Sequence, residues 1–289
     1  MNSDQTWTIG RVLDWTRDFF ERKGIDSARL DAELLIGHAL ELERIGLYLH
    51  HHKPLHSSEL SQIRQLVKRR SKLEPIHYIL GVREFWSMTL NVDERVLIPR
   101  PDTERVVEVA LAHLADAPSR VLDLCCGSGA IGLAIASERK RATILATDVS
   151  SVALEVAAEN RQKHELTNIK FLVSDLFTRV EGRFDLIVSN PPYIPSADIE
   201  GLMTDVCEFE PTLALDGGED GLNFYRKIIE YAPQHLKSNG QLILEIGHDQ
   251  ASSLAELFQM NPLWEWDKCY QDLGGNDRVV RAVLRSEAT

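Results

Sequence analysis

The sequence has few cysteines and no long apolar run, and each absence narrows what the protein can be. Only four of the 289 residues are cysteine, and no two of them form a Cys-x-x-Cys pair. The spacing therefore indicates neither a disulfide framework nor a zinc site, and favours a reducing compartment. No apolar run approaches the roughly 18 residues that span a bilayer, and the polar N-terminus lacks the apolar core of a signal peptide. We therefore expect a cytoplasmic protein without a membrane partner.

Basic residues are also fewer than acidic ones. The chain has 32 lysines and arginines against 44 aspartates and glutamates, a formal net charge of −12. A protein that grips a nucleic-acid backbone usually presents a basic surface, so the composition argues against direct nucleic-acid binding. The histidines His50, His51, His52 and His56 lie in a polar connection, with no cysteine or carboxylate at a ligand spacing. We expect no metal site there.

Three regions of different periodicity follow one another along the chain. Residues 1–73 carry apolar residues at helical spacing and predict a small N-terminal helical bundle. Residues 74–100 change to an alternating pattern that begins with a strand at 78–80 and predicts a β-hairpin linker. Residues 101–289 alternate between strand-like and helix-like segments and form the third predicted domain.

The third region is typical of an α/β fold. Strands are predicted at 121–124, 143–147, 169–173, 186–189, 241–246, about 264–270 and 278–284. Helical segments separate the early strands, which predicts a doubly wound, mainly parallel, Rossmann-like sheet of seven strands. The last two strands follow each other without a long helix, so we expect one of them to be antiparallel.

The stretch Phe184–Ile194 organises the predicted site. Its buried apolar run ends abruptly at Asn190, because Pro191 and Pro192 have no N–H to give to a sheet. A carboxamide is thus held at the carboxyl end of a strand, where ligands bind in open α/β sheets, with Tyr193 beside it. A neutral acceptor next to a flat aromatic ring suits an amide or amino nitrogen. We predict Asn190, Pro191, Pro192 and Tyr193 as the catalytic residues.

A glycine-rich turn follows the first predicted strand of this region. The turn consists of Cys125, Cys126, Gly127, Ser128 and Gly129. Its glycines allow a tight bend and close approach of a ligand to the following helix N-terminus. A Gly-x-Gly-x-x-Gly pattern that ends at Gly132 is a weak dinucleotide signal. Asp123, just before the turn, favours S-adenosylmethionine instead, because a carboxylate repels a pyrophosphate but can receive an amino group.

Acidic residues also end the next two predicted strands. Asp148 lies about 20 residues beyond the glycines, where an acid typically holds a ribose diol. Asp175 can accept from the exocyclic amine of adenine, with Leu176 and Phe177 against the ring. Each acid alone is more often a cap or turn residue, but their occurrence at successive strand ends predicts one cofactor site. Asn190 is counted with both the catalytic and the cofactor-binding residues.

At this point the chain resembles the release factor glutamine methyltransferases over nearly its whole length. The segments that carry the resemblance are Ile98–Glu104, Ser189–Ile194, Glu210–Gly218 with Asp220–Leu222, and Leu244–His248. The Asn-Pro-Pro-Tyr motif alone is shared with adenine methyltransferases of DNA and RNA. Its combination with the first and third segments behind a helical region is much narrower.

The resemblance implies methylation of the glutamine side-chain amide in the Gly-Gly-Gln loop of class-1 peptide chain release factors. It implies S-adenosyl-L-methionine as donor and S-adenosyl-L-homocysteine as product. It also implies that Asn190 and the Pro191 carbonyl hold the amide, that Tyr193 packs against it, and that the bundle helps to grip the release factor. The family usually carries glycine and threonine at Cys125 and Cys126. Cysteine is small, so the turn can persist provided that Cys125 keeps a negative φ.

The chemistry expected of this site is positioning. An amide nitrogen is a poor nucleophile, so acceptors for its two hydrogens would orient it and stabilise positive charge as it develops. The sulfonium donor is already activated, so no metal is required. Three alternatives stay open: an adenine-N(6) methyltransferase that flips its target base, a dehydrogenase, and a cofactor-binding protein without catalysis.

Overall fold

The computed structural model describes residues 6–286 and divides the chain into two compact units. One unit comprises the chain up to Gly81 together with Thr204–Phe209, and the other comprises Val82–Met203 and the chain from Glu210 onward. Among the described residues, no three or more histidine, cysteine or acidic side chains are grouped so as to hold a metal ion. In the same part of the chain, no helix has the length and apolar character needed to span a membrane.

The first unit is helical. Its helices are α1 (Ile9–Arg22), α2 (Ala28–Leu40), α3 (Arg44–Leu49), α4 (Ser57–Arg70), α5 (Ile76–Leu80) and the short α9 (Thr204–Cys207). Fully buried apolar side chains from α1, α2 and α3, among them Phe20, Leu35 and Leu47, form its core. The sequence predicted a strand at 78–80, and this prediction is wrong, because these residues belong to α5. A run of three apolar residues is too short for its period to distinguish a strand from a helix.

The second unit begins with an antiparallel hairpin and continues as an α/β sheet. Its strands are β1 (Val82–Phe85), β2 (Met88–Asn91), β3 (Arg120–Leu124), β4 (Thr143–Asp148), β5 (Ile169–Val173), β6 (Phe184–Ser189), β7 (Leu236–Glu245), β8 (Trp264–Gln271) and β9 (Asp277–Leu284). Its helices are α6 (Glu104–His113), α7 (Ala130–Glu138), α8 (Ser151–Lys163), α10 (Asn223–His235) and α11 (Ala251–Met260). Short 3-10 turns occupy Pro101–Thr103, Ser196–Gly201 and Thr212–Ala214.

The sheet has seven strands in the order β5-β4-β3-β6-β7-β9-β8. The strands from β3 to β7 run parallel, and β9 lies antiparallel to both of its neighbours. The predicted doubly wound, mainly parallel sheet with an antiparallel strand near its end is therefore confirmed. The strand order reverses between β3 and β6, so the loops after these two strands meet at a topological switch point, where such sheets bind ligands.

Both faces of the sheet are covered, which explains why its strands read as continuous apolar runs. In β3, Val121 faces the core formed with α6 and α7, whereas Leu122 and Leu124 face the core formed with α10 and α11. This alternation follows from the two-residue period of a strand. The buried sheet gives the strand ends a rigid frame for the site.

Candidate active site

Asn190 follows directly on β6, whose apolar side chains Ile187 and Val188 are 0% exposed. Pro191 and Pro192 are buried and take the chain out of the sheet. The Asn190 carboxamide is half-buried, and its Nδ2 donates to Thr103 Oγ1 over 3.3 Å. Because the amide nitrogen has this partner, Oδ1 is the atom left to accept a hydrogen bond from a ligand.

The backbone at Tyr193 is fixed by close contacts with a glycine-rich segment. The Tyr193 carbonyl accepts from Gln250 Nε2 at 2.9 Å. A Cβ at Gly217 would lie 2.7 Å from Tyr193 Cα, and one at Gly221 would lie 2.3 Å from the Tyr193 carbonyl oxygen, so neither position accommodates a side chain. Burial, reinforced by the charge of Glu245, raises the pKa of Tyr193 to about 12. Its phenol is therefore neutral at physiological pH.

The glycine-rich turn after β3 is held by hydrogen bonds to β4. The Cys126 N–H donates to the Thr147 carbonyl at 3.0 Å, and the Gly127 N–H donates to Asp148 Oδ2 at 2.8 Å. Gly129 has φ +82° and begins α7, and a Cβ there would come within 3.2 Å of the Ala157 Cβ. Gly127 has φ +50° and no atom within 4 Å of the place where a Cβ would stand, so this part of the backbone is open.

Cys125 does not have the negative φ expected from the sequence. Its φ is +57°, in the left-handed region that favours glycine. For a residue with a side chain this conformation costs about 1–2 kcal/mol. The turn is thus preserved with a cysteine in a glycine conformation. Burial raises the pKa of the Cys125 thiol, which keeps it neutral.

The three predicted acids lie in different environments. Asp148 is half-buried, and its two carboxylate oxygens accept from the backbone N–H groups of Gly127 (2.8 Å) and Ser150 (2.9 Å). Burial raises its pKa although these hydrogen bonds oppose the shift. Asp175 is exposed. Asp123 is 0% exposed, and one carboxylate oxygen accepts from the Gly132 N–H at 2.9 Å. Burial raises the pKa of Asp123 to about 8.

A cavity open to solvent lies at this edge of the sheet. The predicted site residues that line it are Cys125, Cys126, Gly127, Ser128, Asp148, Asp175, Leu176, Asn190 and Pro192. The structure thus brings the turn after β3, the acids after β4 and β5, and the carboxamide after β6 to one cavity.

Five of the predicted residues are absent from this lining: Asp123, Gly129, Phe177, Pro191 and Tyr193. Asp123 lies under the glycine-rich turn with its second carboxylate oxygen unpartnered within the described chain. Phe177 is in the core and stacks on His235 with ring centroids 4.8 Å apart, so Leu176 alone of this pair reaches the cavity.

Several lining residues were not predicted from the sequence. They are Arg95, Val96, Leu97, Pro99, Arg100, Thr103, Ala130, Ile131, Val149, Ser150, Ala153, Ser174, Pro211, Leu213, Ala214 and Phe224. Some belong to the segments Ile98–Glu104 and Glu210–Gly218, which carry the family resemblance but were not among the predicted site residues. Arg100 connects these two segments, because its guanidinium lies 2.7 Å from the buried Glu210 carboxylate. Glu104 instead accepts from the Trp86 N–H at 2.9 Å and holds the hairpin.

Glu245 was also not predicted. It is the last residue of β7, adjacent to β6, and is 1% exposed. Burial raises its pKa to about 7, while the nearby Thr103 hydroxyl and the charge of Arg278 oppose the shift. Its only signal in the sequence was a place in the segment Leu244–His248.

Comparisons with known proteins agree with this arrangement. Residues 11–81 match the family described as "PrmC N-terminal domain", and residues 104–206 match "Methyltransferase small domain". A protein of Geobacter sulfurreducens named "Release factor glutamine methyltransferase" is 44% identical over 96% of this chain and 96% of its own length. A protein of Rhodopirellula baltica with the same name is 39% identical over 96% of this chain and 97% of its own.

Solved structures support the fold alone. The crystal structure of a methyltransferase from Pyrococcus furiosus matches with a TM-score of 0.51 at 19% identity, and the match covers 69% of this chain and 90% of that one. The structural match indicates a methyltransferase fold, and the much closer sequence relatives identify the family. The chain belongs to the release factor glutamine methyltransferase family and is a protein-glutamine methyltransferase.

Proposed function

We propose that this chain transfers a methyl group from S-adenosylmethionine to the side-chain amide nitrogen of the glutamine in the Gly-Gly-Gln motif of class-1 release factors. The observation that carries the proposal is the orientation of Asn190. Its nitrogen is bonded to Thr103, and its oxygen remains as an acceptor at the cavity that Asp148 and the glycine-rich turn also line.

The residues of the cavity fit S-adenosylmethionine. The open backbone at Gly127 admits a ligand against the N-terminal end of α7, and Asp148 offers a fixed carboxylate to a ribose diol. Apolar side chains, among them Val149, Ala153 and Leu176, supply contacts for an adenine ring. When bound there, S-adenosylmethionine supplies an electrophilic methyl group on a positively charged sulfonium.

The arginines of the lining argue against a dinucleotide in this cavity. The Arg95 guanidinium is paired with Asp93 at 2.7 Å, and that of Arg100 is paired with Glu210 at 2.7 Å. Both positive charges are therefore engaged by carboxylates rather than directed at a pyrophosphate. The acids Asp148 and Asp175 further disfavour a polyanion.

The protein's own contribution is to hold one nitrogen in place. Asn190 Oδ1 accepts one hydrogen of the substrate amide at the cavity, and the backbone carbonyl of Pro191, a residue outside the cavity lining, is the second acceptor that the family resemblance implies. Together they fix the direction of the nitrogen lone pair. These acceptors also stabilise the positive charge that develops on the nitrogen. The prolines keep both acceptors rigid, so little reorganisation is needed, and alignment of this kind is worth on the order of 7–11 kcal/mol.

We also propose that three segments of the chain have separate roles. Residues 101–289 act as the catalytic domain, residues 74–100 as a hairpin linker, and residues 1–73 as the part that recognises the release factor. The separate family matches at 11–81 and 104–206 support this assignment. Removal of the helical part would then weaken methylation of an intact release factor more than methylation of a short Gly-Gly-Gln peptide.

Labelled S-adenosylmethionine tests the substrate directly. The protein is incubated with an intact release factor, with the same factor carrying Gly-Gly-Ala in its loop, and with DNA. We expect one methyl group on the glutamine, located by peptide mass spectrometry, and none on the other two substrates. Label on DNA, or on the Gly-Gly-Ala factor, would refute the proposed substrate.

The role of Asn190 is tested by the Asn190→Ala variant. Removal of a group that stabilises transition-state charge typically costs about 10²–10³ in kcat, whereas cofactor affinity should change little. Asn239→Ala is the matched control, because Asn239 lies towards the amino end of β7, far along the sheet from the site. It should methylate at about the wild-type rate. Turnover by Asn190→Ala at that same rate would contradict the mechanism.

A further inference from the structure

Three polar residues distant in sequence lie close together at the cavity: Asn190 and Thr103 line it, and Glu245 is buried behind them. Ser189 and Leu244 are paired in the register of β6 and β7, so Asn190 and Glu245 are the next residues of two adjacent parallel strands. Thr103, which is 4% exposed, accepts from Asn190 Nδ2 at 3.3 Å, and its hydroxyl acts on the neighbouring Glu245 carboxylate, whose pKa it lowers. One oxygen of that carboxylate, Oε2, is buried and has no hydrogen-bond partner within the described chain.

The direction of these hydrogen bonds follows from the donors available. A hydroxyl has one hydrogen, and an ionised carboxylate only accepts. When Thr103 donates to Glu245, its oxygen can serve Asn190 only as an acceptor. The Asn190 group that faces Thr103 must then be the NH2, which leaves Oδ1 toward the cavity. Without the Glu245 carboxylate, the Thr103 hydroxyl can rotate and donate its hydrogen to Asn190 Oδ1. The Asn190 carboxamide can then also bind with Oδ1 and Nδ2 exchanged.

We propose that Glu245 is a positioning residue which, through the Thr103 hydroxyl, determines that the oxygen of the Asn190 carboxamide faces the substrate. The inference rests on the proposed function and deepens it. Thr103 and Glu245 set the orientation of Asn190 Oδ1, which is the acceptor in that function. Glu245 itself is buried and does not line the cavity.

The surroundings of Glu245 make the orientation sensitive to pH. The charged and titratable groups that act on it from neighbouring elements are Arg100, Asp102, Tyr193, Tyr225 and Arg278. Burial outweighs the cations and raises the pKa of Glu245 to about 7. At lower pH the Glu245 carboxyl is protonated and no longer requires the Thr103 hydrogen. The preference for the Asn190 orientation with Oδ1 toward the cavity therefore weakens. We expect kcat to fall as the pH decreases from 8 to 6, with saturating S-adenosylmethionine.

Kinetics of four variants test the inference. Thr103→Val removes the hydroxyl and should lower kcat about tenfold, as expected for one lost hydrogen bond, with little change in KM for the release factor. Thr103→Ser retains the hydroxyl and should restore most of the rate. Glu245→Gln should turn over slowly at all pH values and lose the decrease between pH 8 and 6. Thr16→Val is the control, since Thr16 is a buried threonine of α1 whose hydroxyl has no partner within the described chain.

An NMR measurement separates this inference from the proposed function. With selective ¹⁵N-asparagine labelling, the Asn190 side-chain NH2 should show one protected hydrogen in the wild-type protein, with an apparent pKa near that of Glu245. Thr103→Val should abolish the protection, and Glu245→Gln should abolish the titration. These signals need no substrate, so they decide the hydrogen-bond chain even if the release factor is not methylated. An unprotected NH2, or Thr103→Val with wild-type kcat, would overturn the positioning role.

Discussion

Asp148 offers the sharpest test of whether the predicted cofactor residues bind a ligand or only shape a turn. Its carboxylate accepts from the Gly127 and Ser150 N–H groups, as a turn residue would. Nevertheless, its pKa is raised, because burial outweighs those two hydrogen bonds. The ionised carboxylate is therefore less favourable in the folded protein than in the unfolded chain. We infer that this charge does not stabilise the fold.

The Asp148→Asn variant separates the two roles. Loss of the buried charge is favourable, whereas exchange of one acceptor for an NH2 costs about 0.5–1.5 kcal/mol, so the free energy of unfolding should change by less than about 1 kcal/mol. A ribose diol loses one hydrogen bond to a charged acceptor, worth about 1.5–3 kcal/mol. The affinity for S-adenosylmethionine should therefore fall by roughly 10- to 150-fold.

Asp185→Asn is the matched control at the opposite end of the sheet. Asp185 accepts from the Arg120 N–H at 2.7 Å and is paired with Lys237 at 2.7 Å, near the amino end of β6. Its replacement should lower stability by about 1 kcal/mol and leave the affinity unchanged.

Calorimetric titration with S-adenosylmethionine and thermal unfolding of the ligand-free protein measure the two quantities for both variants. If Asp148→Asn unfolds at a clearly lower temperature but binds S-adenosylmethionine as tightly as the wild type, Asp148 is a turn residue and the reasoning is wrong.

Two further predictions concern stability. Because burial raises the pKa of Asp123 to about 8 from an ordinary value near 4, the folded protein binds a proton more tightly than the unfolded chain. The free energy of unfolding, measured by denaturant titration, should therefore decrease as the pH rises from 4 to 8. Asp123→Asn should remove the part of this decrease that Asp123 causes. An unchanged pH dependence in the variant would contradict the raised pKa of Asp123. Ser87 has φ +57° in the two-residue turn between β1 and β2. Ser87→Gly relieves about 1–2 kcal/mol of backbone strain and costs about 0.5–1 kcal/mol, because glycine loses more chain entropy on folding. The temperature of thermal unfolding should therefore rise by a few degrees. A lower unfolding temperature would contradict the strain at Ser87.

Local chemistry in the sequence was sufficient to predict the sheet and to predict that two acids and a carboxamide meet at one of its edges. The apolar run of β6 predicted a buried strand, and Pro191 and Pro192 marked its end. Parallel strands end at the same edge of a sheet, so Asp148, Asp175 and Asn190 could be placed together without coordinates. The structure brings all three to one cavity.

Side-chain direction and backbone conformation were decided by the tertiary structure. Phe177 and Leu176 are adjacent in sequence, yet only Leu176 lines the cavity, because Phe177 packs on His235. Cys125 adopts a positive φ because the hydrogen bonds that hold the turn to β4 impose it, although the residue itself disfavours that conformation.

The sequence by itself determined that a rigid carboxamide ends a buried strand beside a glycine-rich turn, and the combination of motifs indicated the family. It did not determine which atom of that carboxamide faces the ligand. We infer that the orientation depends on Thr103 and Glu245. Glu245 lies beside Asn190 because β6 and β7 are neighbours in the folded sheet, and Thr103 reaches Asn190 from the turn before α6. Contacts of this kind leave no periodic signal in the chain, because strand order, and not spacing along the sequence, brings the partners together.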